Sequence, residues 1–480
     1  MSASILICSI LVWFGLGAFL SWKAKKKNAL SMAEYFLGNR SIGGFLSSMT
    51  YSATTYSAFM MVGLVGITYK TGITSLGFEL SYLIGTVFLL MLFAPRYWSA
   101  GKAFNVVTPS EMLSVRYEKP RVGVAAAILC LVMLIPYASV QLMGAGYLLE
   151  TLSGGTISFT TATVIIALMS FVFSWWAGIR SVALTDALQA SIMLIASIML
   201  AFFIAFTLLP EAGESITTIN PNNMKVSWPF HMFLGLTLPW FFFAVTNPQV
   251  VQRLYIPKNI TSIRNMILGF SFFGFVYTLL CVFFGISASK LLPGIPAADK
   301  AMPRLLSMVP HPLALIVTLS IIAAAVSTMN SIILTLSSMF GRDILKALNP
   351  HLSEQKELIL SKTLIPVITG ICLVFAQYKF SMIAILSSMA SGGLLMQLPS
   401  IWGTFFWKKA TAEGAFWSIV IGGISVGTMY ITGAKPLGIW PPVWGIAVSF
   451  LVFIALSLFT TPPSSTDTFM DRLKKELKNF

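Results

Sequence analysis

The sequence predicts an all-α integral membrane protein with about thirteen transmembrane helices, arranged as a five-plus-five inverted repeat with flanking helices, and three observations carry that expectation. The 480 residues are 56% hydrophobic and only 10% charged, with a mean hydropathy of +0.84. A soluble domain carries about 25% charged residues. Apolar blocks of roughly 17–25 residues recur along the whole length, the size that crosses about 30 Å of hydrocarbon. Two of these blocks are interrupted by polar residues or proline, and they stand five spans apart. Paired interrupted helices in corresponding halves of a chain mark a central site between inverted repeats.

The first block, about 3–22, is followed by Lys23 and Lys25 to Lys27. A cleaved signal peptide has its charges before the apolar core, so this block reads as a retained helix with its N-terminus outside. The second span, about 43–68, crowds hydroxyls into mid-membrane, from Ser47 and Ser48 through Thr50, Ser52, Thr54 and Thr55 to Ser57. The third, about 74–95, contains Glu79 between Phe78 and Tyr82. An ionisable group there faces a polar pathway or a partner, or is a hydrogen-bonded structural acid. Spans at about 122–149, 158–178 and 187–208 follow. Between the last two, Arg180 and Asp186 are placed to cap and lock a helix–helix turn.

The seventh span, about 229–251, sets Pro239 and Pro248 around an aromatic run that includes Trp240. Proline removes a backbone donor and breaks the ladder, and in a membrane the freed groups need protein, water or an ion. Asn247 and Gln249 bring amides to that break, and Trp240 offers a flat apolar wall. After a span at about 265–289, the ninth, about 311–339, runs through Ala323, Ala324, Ala325, Val326, Ser327, Thr328 and on to Ser331. The Ser327 and Thr328 hydroxyls either supply oxygens to a hard cation or bond back to their own helix. Spans at about 363–378, 380–407, 413–433 and 441–461 complete the chain. The whole is a single polytopic membrane domain over residues 1–480. Repeat one covers about 43–208 and repeat two about 229–407, while 3–22, 413–433 and 441–461 are extra. The longest connection, Gly341 to Ser361, has room only for a small amphipathic helix, so function must sit in the bilayer.

The formal net charge is +15, and its distribution decides what it means. Of the 31 Lys and Arg residues, 24 fall on one set of connections, among them Lys23, Arg96, Arg116, Arg253, Arg342, Lys408 and Lys475. The other seven are Lys70, Lys225, Lys290, Lys300, Arg304, Lys379 and Lys435. Such a bias is the positive-inside rule, which places the C-terminus in the cytoplasm of a multi-pass cell (plasma) membrane protein. Dispersed basic residues of this kind form no nucleic-acid footprint. Cys8, Cys130, Cys281 and Cys372 lie within apolar blocks, without metal-ligand spacing. His231, His311 and His351 have no partner constellation, and no phosphate loop, catalytic triad or zinc spacing is present. The sequence therefore gives no sign of an enzyme or of a cofactor.

Five stretches, in order, resemble the sodium:solute symporter family, which includes proline, pantothenate, sugar and sialic acid carriers. They are Tyr35 to Gly44, the Ala177 to Gln189 turn, Asn247 to Arg253, Ala324-Val326-Ser327-Thr328 followed by Asp343, and Trp407 to Ala415. The resemblance covers nearly the whole chain and implies the leucine-transporter (LeuT) fold with an extra N-terminal helix. In that family one sodium sits between the broken second span and the ninth. Carried over, its ligands are the carbonyls of Ala53, Tyr56 and Ala324 and the hydroxyls of Ser327 and Thr328. Thr55 stands where the proline carriers have an aspartate. Tyr137, Trp240 and Pro248 resemble their solute-site positions, whereas a tyrosine expected at Ala244 is missing. Glu79 falls where bacterial sugar carriers have a sugar-contacting glutamate, while Met60 and Ser391 replace expected glutamines. Val140-Gln141 and Leu148-Leu149-Glu150 look like the pantothenate carriers. The candidate solute residues are thus Thr55, Glu79, Tyr137, Gln141, Trp240 and Pro248, beside the Asn247 and Gln249 amides.

The resulting expectation is a sodium-coupled symporter of a small polar organic solute, an organic acid or an amino-acid-like compound, working by alternating access. Its partners are the solute, the sodium ion and the lipid bilayer. Proton coupling through Glu79 and a sensor or channel-like role are the alternatives that the residues leave open.

Overall fold

The computed structural model describes residues 1–24, 31–215 and 224–478. Lys25, Lys26 and Lys27 of the basic cluster therefore lie outside the described residues. Among the described residues, ten helices are long and apolar enough to cross a membrane, and three shorter apolar ones are Phe59–Thr71, Phe159–Trp175 and Phe230–Phe241.

Helix α1 (Ala3–Ala24) sits at the edge, largely exposed, against the long helix over Phe159–Phe203. The short α2 (Met32–Leu37) is capped by Ser31, whose side chain accepts from the Glu34 amide. Ile42 then exchanges backbone hydrogen bonds with Ile256 (3.1 Å) and Lys258 (2.9 Å), which laces the start of the second span to the end of the seventh. The second span is two pieces, α3 (Gly44–Thr55) and α4 (Val65–Thr71), joined through a π-helical turn over Phe59–Leu64. The sequence pattern gave one span here. The break falls at Tyr56 (φ −91°, ψ 96°), where the Ser57 hydroxyl accepts from the Phe59 amide and competes with the helical ladder.

Helices α5 (Thr74–Phe104), α6 (Pro109–Tyr117) and α7 (Pro120–Leu152) follow. In α8 (Phe159–Phe203) the chain turns at Gly178 (φ 62°, ψ 176°), before Arg180 and Asp186 rather than between them. Only glycine suits this position, because a Cβ there would stand 3.1 Å from the Tyr35 carbonyl. Arg180 instead holds α2, pairing with Glu34 at 3.1 Å and donating to the Gly38 carbonyl at 2.7 Å. The seventh span is also divided, into α9 (Phe230–Phe241), a turn of helix over Phe243–Thr246, and α10 (Pro248–Val251). Pro248 disfavours a helical conformation at the residue before it, and Asn247 is extended (φ −90°, ψ 110°).

The chain continues with α11 (Ile260–Leu291), α12 (Ala301–Leu306), α13 (His311–Met339) and α14 (Glu354–Gln377). Helix α14 starts nine residues ahead of the expected 363. The span expected at 380–407 is α15 (Ile383–Leu394) and α16 (Leu398–Phe406), joined by a 3-10 turn. Helices α17 (Ala412–Thr432) and α18 (Pro441–Phe459) pack together, and α19 (Thr466–Lys478), which hydropathy does not reveal, lies against α5 and α6. The most apolar stretches of His311–Leu348 and of Ile383–Phe406 are 72% and 89% buried, so these segments form the centre.

Two arginines counted among the connection charges are not at the surface. Arg116 and Arg253 are both 0% exposed. Arg116 donates to Thr466 (3.1 Å) and to the Trp407 carbonyl (3.3 Å), beneath the Phe469 ring. Their burial requires fixed acceptors, which a count of charges along the sequence does not register.

Candidate ion and solute site

Helix α3 stops at Thr55, so the carbonyls of its last turn have no helical donors. Helix α13 crosses at that point, and its small residues Ala323, Ala324 and Ala325, all fully buried, permit close approach. The Ser327 hydroxyl reaches the Ala53 carbonyl at 2.9 Å and the Ala324 carbonyl at 3.1 Å. The Thr328 hydroxyl reaches Ala53 at 3.1 Å and the Thr54 carbonyl at 3.4 Å. Four of the five expected ligand atoms thus converge. Tyr56 is the first residue beyond the helix, and its dihedrals take its carbonyl out of the ladder too. The cluster is neutral, fully buried and all oxygen, a donor set suited to a hard monovalent cation.

Beside it lies a polar network that the sequence pattern does not disclose. Ser331, one turn beyond Ser327, bonds Thr54 at 2.9 Å and accepts from Arg253 at 2.6 Å. Asp186 accepts from Thr50 at 2.6 Å and lies within electrostatic reach of Arg253, without a direct ion pair. Ser331 sits at the i+4 position from Ser327, and that spacing was the available signal.

Both breaks are tied off by glutamines from other helices. Gln141 accepts from the Ala58 amide at 3.2 Å and donates to its own helix at Tyr137. Gln397 donates to the Thr246 carbonyl at 2.6 Å. Gln141, expected to face solute, thus serves the backbone of the first break. Asn247 bonds Thr246 and Ser391 at 3.3 and 3.4 Å, side chain to side chain, next to Pro248.

The remaining candidates lie in or beside a buried aromatic cluster, the chamber that a solute would have to open. Trp240 is stacked between Phe59 (4.7 Å) and Phe243 (5.1 Å), and its indole N–H donates to Ser388 at 2.8 Å. Tyr82 and Tyr137 stand edge-on to it, at 5.5 and 6.2 Å. Tyr82 also meets Tyr56 at 6.4 Å, joining the chamber to the break. Glu79 is 0% exposed and neither carboxylate oxygen has a hydrogen-bond partner. Thr55 and Gln249 are buried with their side-chain polar atoms likewise unpartnered.

Contacts lie on two faces around this cluster. On the face that carries α12, a turn over Ala298–Lys300 rests on α4, where a Cβ at Gly66 would stand 2.7 Å from the Ala298 carbonyl. Asp299 accepts there from the Ile383 amide at 3.1 Å, at the start of α15. Burial pushes the Asp299 carboxyl up to about 6, and that one backbone hydrogen bond offsets the rise in part. On the α6 face, Gln252 donates to the Val107 carbonyl (3.3 Å) and Ser338 (3.0 Å), Thr108 donates to Asp343 (2.7 Å), and Arg342 pairs with Glu357 (3.0 Å).

The profile of the sodium:solute symporter family matches residues 35–422. A sodium/pantothenate symporter of Escherichia coli (strain K12) is 26% identical over 491 residues, covering 96% of this chain and 97% of that protein. The osmoregulated proline transporter OpuE of Bacillus subtilis (strain 168) is 24% identical over 480 residues, covering 96% of each. Among solved structures, a substrate-bound, outward-open Na+-coupled sialic acid symporter superposes with a TM-score of 0.78 at 18% identity, covering 96% of this chain and 97% of that one. Mhp1, a nucleobase-cation-symport-1 family transporter, superposes at 0.59 with 13% identity, covering 91% and 98%. At these identities the structures speak for the fold alone.

Proposed function

Because the chain belongs to the sodium:solute symporter family, we propose that it uses the sodium gradient to import a small polar organic solute, an organic acid or an amino-acid-like compound, by alternating access. The family and its named relatives are symporters rather than enzymes. The observation that carries the reading is the meeting of the Ser327 and Thr328 hydroxyls on one carbonyl, Ala53, at the end of a broken helix. Sodium occupies that point with Ala53, Tyr56, Ala324, Ser327 and Thr328 as ligands. The solute occupies the chamber around Trp240, Tyr137 and Glu79, bordered by Thr55, Asn247, Pro248 and Gln249.

In this reading the ten long apolar helices and the three shorter ones make thirteen crossings. Residues 43–208 and 229–407 are the inverted five-plus-five repeat. The N-terminus is outside, and the α6 face with its basic residues is cytoplasmic. Sodium fastens α3 to α13 and so couples by binding one state of the transporter better than the other. One charge crossing 100 mV contributes about 2.3 kcal/mol, or roughly fifty-fold accumulation per ion.

The test is the sodium dependence of thermal stability and of uptake into proteoliposomes, in the wild type and in Ser327→Ala. Stabilisation by sodium over potassium in the wild type, weakened in the variant, is expected. Identical behaviour in the two salts overturns the reading. The unpartnered Glu79 carboxylate supports a second reading, proton coupling, in which Glu79→Gln abolishes a sodium-independent, pH-driven uptake.

A further inference from the structure

Helix α6 is held at both ends, and the two ends are held differently. At its start, the Val107 carbonyl accepts from Gln252 at 3.3 Å and the Thr108 hydroxyl donates to Asp343 at 2.7 Å. Thr108 also caps the helix, accepting from the Glu111 amide at 2.9 Å, while Glu111 accepts from the Val107 amide at 2.6 Å. These bonds fix the direction of both groups relative to α6, so their position follows that of the helix. At its end, Arg116 is fully buried and met by neutral acceptors. One terminal nitrogen donates to Thr466 at 3.1 Å, the other to the Trp407 and Lys408 carbonyls at 3.3 and 3.5 Å. A guanidinium is a planar fork, so this one side chain clamps two segments, the connection after α16 and the first residue of α19. Tyr117, next in sequence, donates to the Ser400 carbonyl of α16 at 2.8 Å. A Cβ at Gly123 would stand 2.7 Å from the Ser110 carbonyl, so α6 also lies flat on the start of α7.

From this arrangement we infer that Arg116 is a positioning residue for the transport cycle, fixing α6 as the sill against which the seventh span closes through Gln252. Opening toward the α6 face requires Gln252 to leave the Val107 carbonyl and Ser338, which it holds at 3.3 and 3.0 Å. Closing again requires that carbonyl to be in the same place. A helix rises about 1.5 Å per residue, so Arg116 acts on Val107 and Thr108 from roughly 12 Å away, through a single turn-capped rod. Loosening the clamp lets the sill shift, and Gln252 then meets its acceptor less often. The open state gains population although no atom near the ion or solute has changed. This inference rests on the sodium-symporter reading, because it takes the α6 face to be the inner entrance.

The experiment is maleimide labelling of the purified full-length protein, with Cys8, Cys130, Cys281 and Cys372 replaced by alanine and Val107→Cys as reporter. Val107 is 1% exposed in the closed arrangement, and the substitution keeps the carbonyl that Gln252 needs. Arg116→Gln and Gln252→Ala should each speed labelling roughly 5- to 150-fold. Together they should label little faster than Gln252→Ala alone, because the sill then has no contact left to position. Rate increases that simply multiply mean that Arg116 only packs, and they overturn the inference. A wild-type rate in folded Arg116→Gln overturns it as well. Should Arg116→Gln fail to fold, Thr466→Val, which removes one acceptor of the clamp, takes its place with the same outcomes. Sodium-dependent thermal stability is measured beside the labelling. If sodium stabilises the protein and labelling does not respond, only this inference falls. If labelling responds and sodium has no effect, the parent reading falls and Arg116 keeps its role at the entrance.

Discussion

The Thr328 hydroxyl lies 3.1 Å from the Ala53 carbonyl across 275 positions of sequence, and that carbonyl is available only because its helix ends at Thr55. Removing either hydroxyl deletes one oxygen without disturbing the backbone. Ser327→Ala and Thr328→Ala should each cost about 1–3 kcal/mol of sodium binding, by analogy with an unmet buried polar contact. Solute affinity at subsaturating sodium should fall with it and return when sodium is raised. Uptake with a wild-type sodium midpoint in both variants would sink the ion-site assignment.

A second prediction concerns how Tyr56 is held. A Cβ at Gly274 would stand 2.1 Å from the Tyr56 hydroxyl, so α11 receives the break in the second span through a glycine gap. Gly274→Ala should displace the tyrosine at an overpacking cost of about 1–3 kcal/mol. Both thermal stability and the sodium midpoint should worsen. Gly370→Ala, where a Cβ meets nothing within 4 Å, is the matched control and should leave both unchanged.

Asp299 gives the α12 face a pH dependence whose sign follows from its environment. Burial lifts its carboxyl to about 6 from the ordinary aspartate value of about 4, so the buried arrangement prefers the protonated acid. The stability it contributes is complete below about pH 4 and is lost as pH rises through about 6. The loss amounts to at most roughly 3 kcal/mol. Hydrogen-exchange protection over residues 292–310, taken relative to the intrinsic exchange rate at each pH, should therefore be greater at pH 5 than at pH 7.5. Asp299→Asn should show the greater protection at both, and a variant that keeps the full pH dependence of protection would exclude Asp299 as its source.

The buried pair Asp186 and Arg253 makes a fourth case. Asp186→Asn leaves the Arg253 guanidinium without its balancing charge and should cost about 3–5 kcal/mol. Adding Arg253→Gln should recover part of that loss, because both buried charges are then gone. A double-mutant cycle on Tm reads the coupling, and strictly additive losses would show that the two charges do not interact.

The membrane class was legible because it leaves a mark in local composition, whereas the meeting of the second and ninth spans came from the family resemblance alone. Hydropathy gives the apolar blocks, Pro248 gives one break, and the hydroxyl run from Ser47 to Ser57 gives the neighbourhood of the other. Ser327 and Thr328 could be named from resemblance to a family pattern. Helix ends inside apolar sequence were less legible. The turn at Gly178 and the pause between Leu394 and Leu398 occur where hydrophobicity does not change. Roles that depend on a distant partner were hidden altogether. Nothing local to Gln141 says that it caps Ala58, and nothing near Arg253 says that Ser331 and Asp186 enclose it. A charge bias treats every arginine as wet, which fails for Arg116 and Arg253.

The burial of Arg116 has a consequence for how the protein is made. Its guanidinium is held by the Trp407 carbonyl and Thr466, 291 and 350 positions further along the chain. Synthesis runs from the N-terminus, so this charge emerges and waits, without its eventual acceptors, while most of the remaining helices are inserted. It must stay hydrated at the membrane border, which would keep α6 from settling early and leave that entrance unsealed during assembly. Only when Thr466–Lys478 folds back and Phe469 stacks on Phe104 at 4.6 Å is the seam closed.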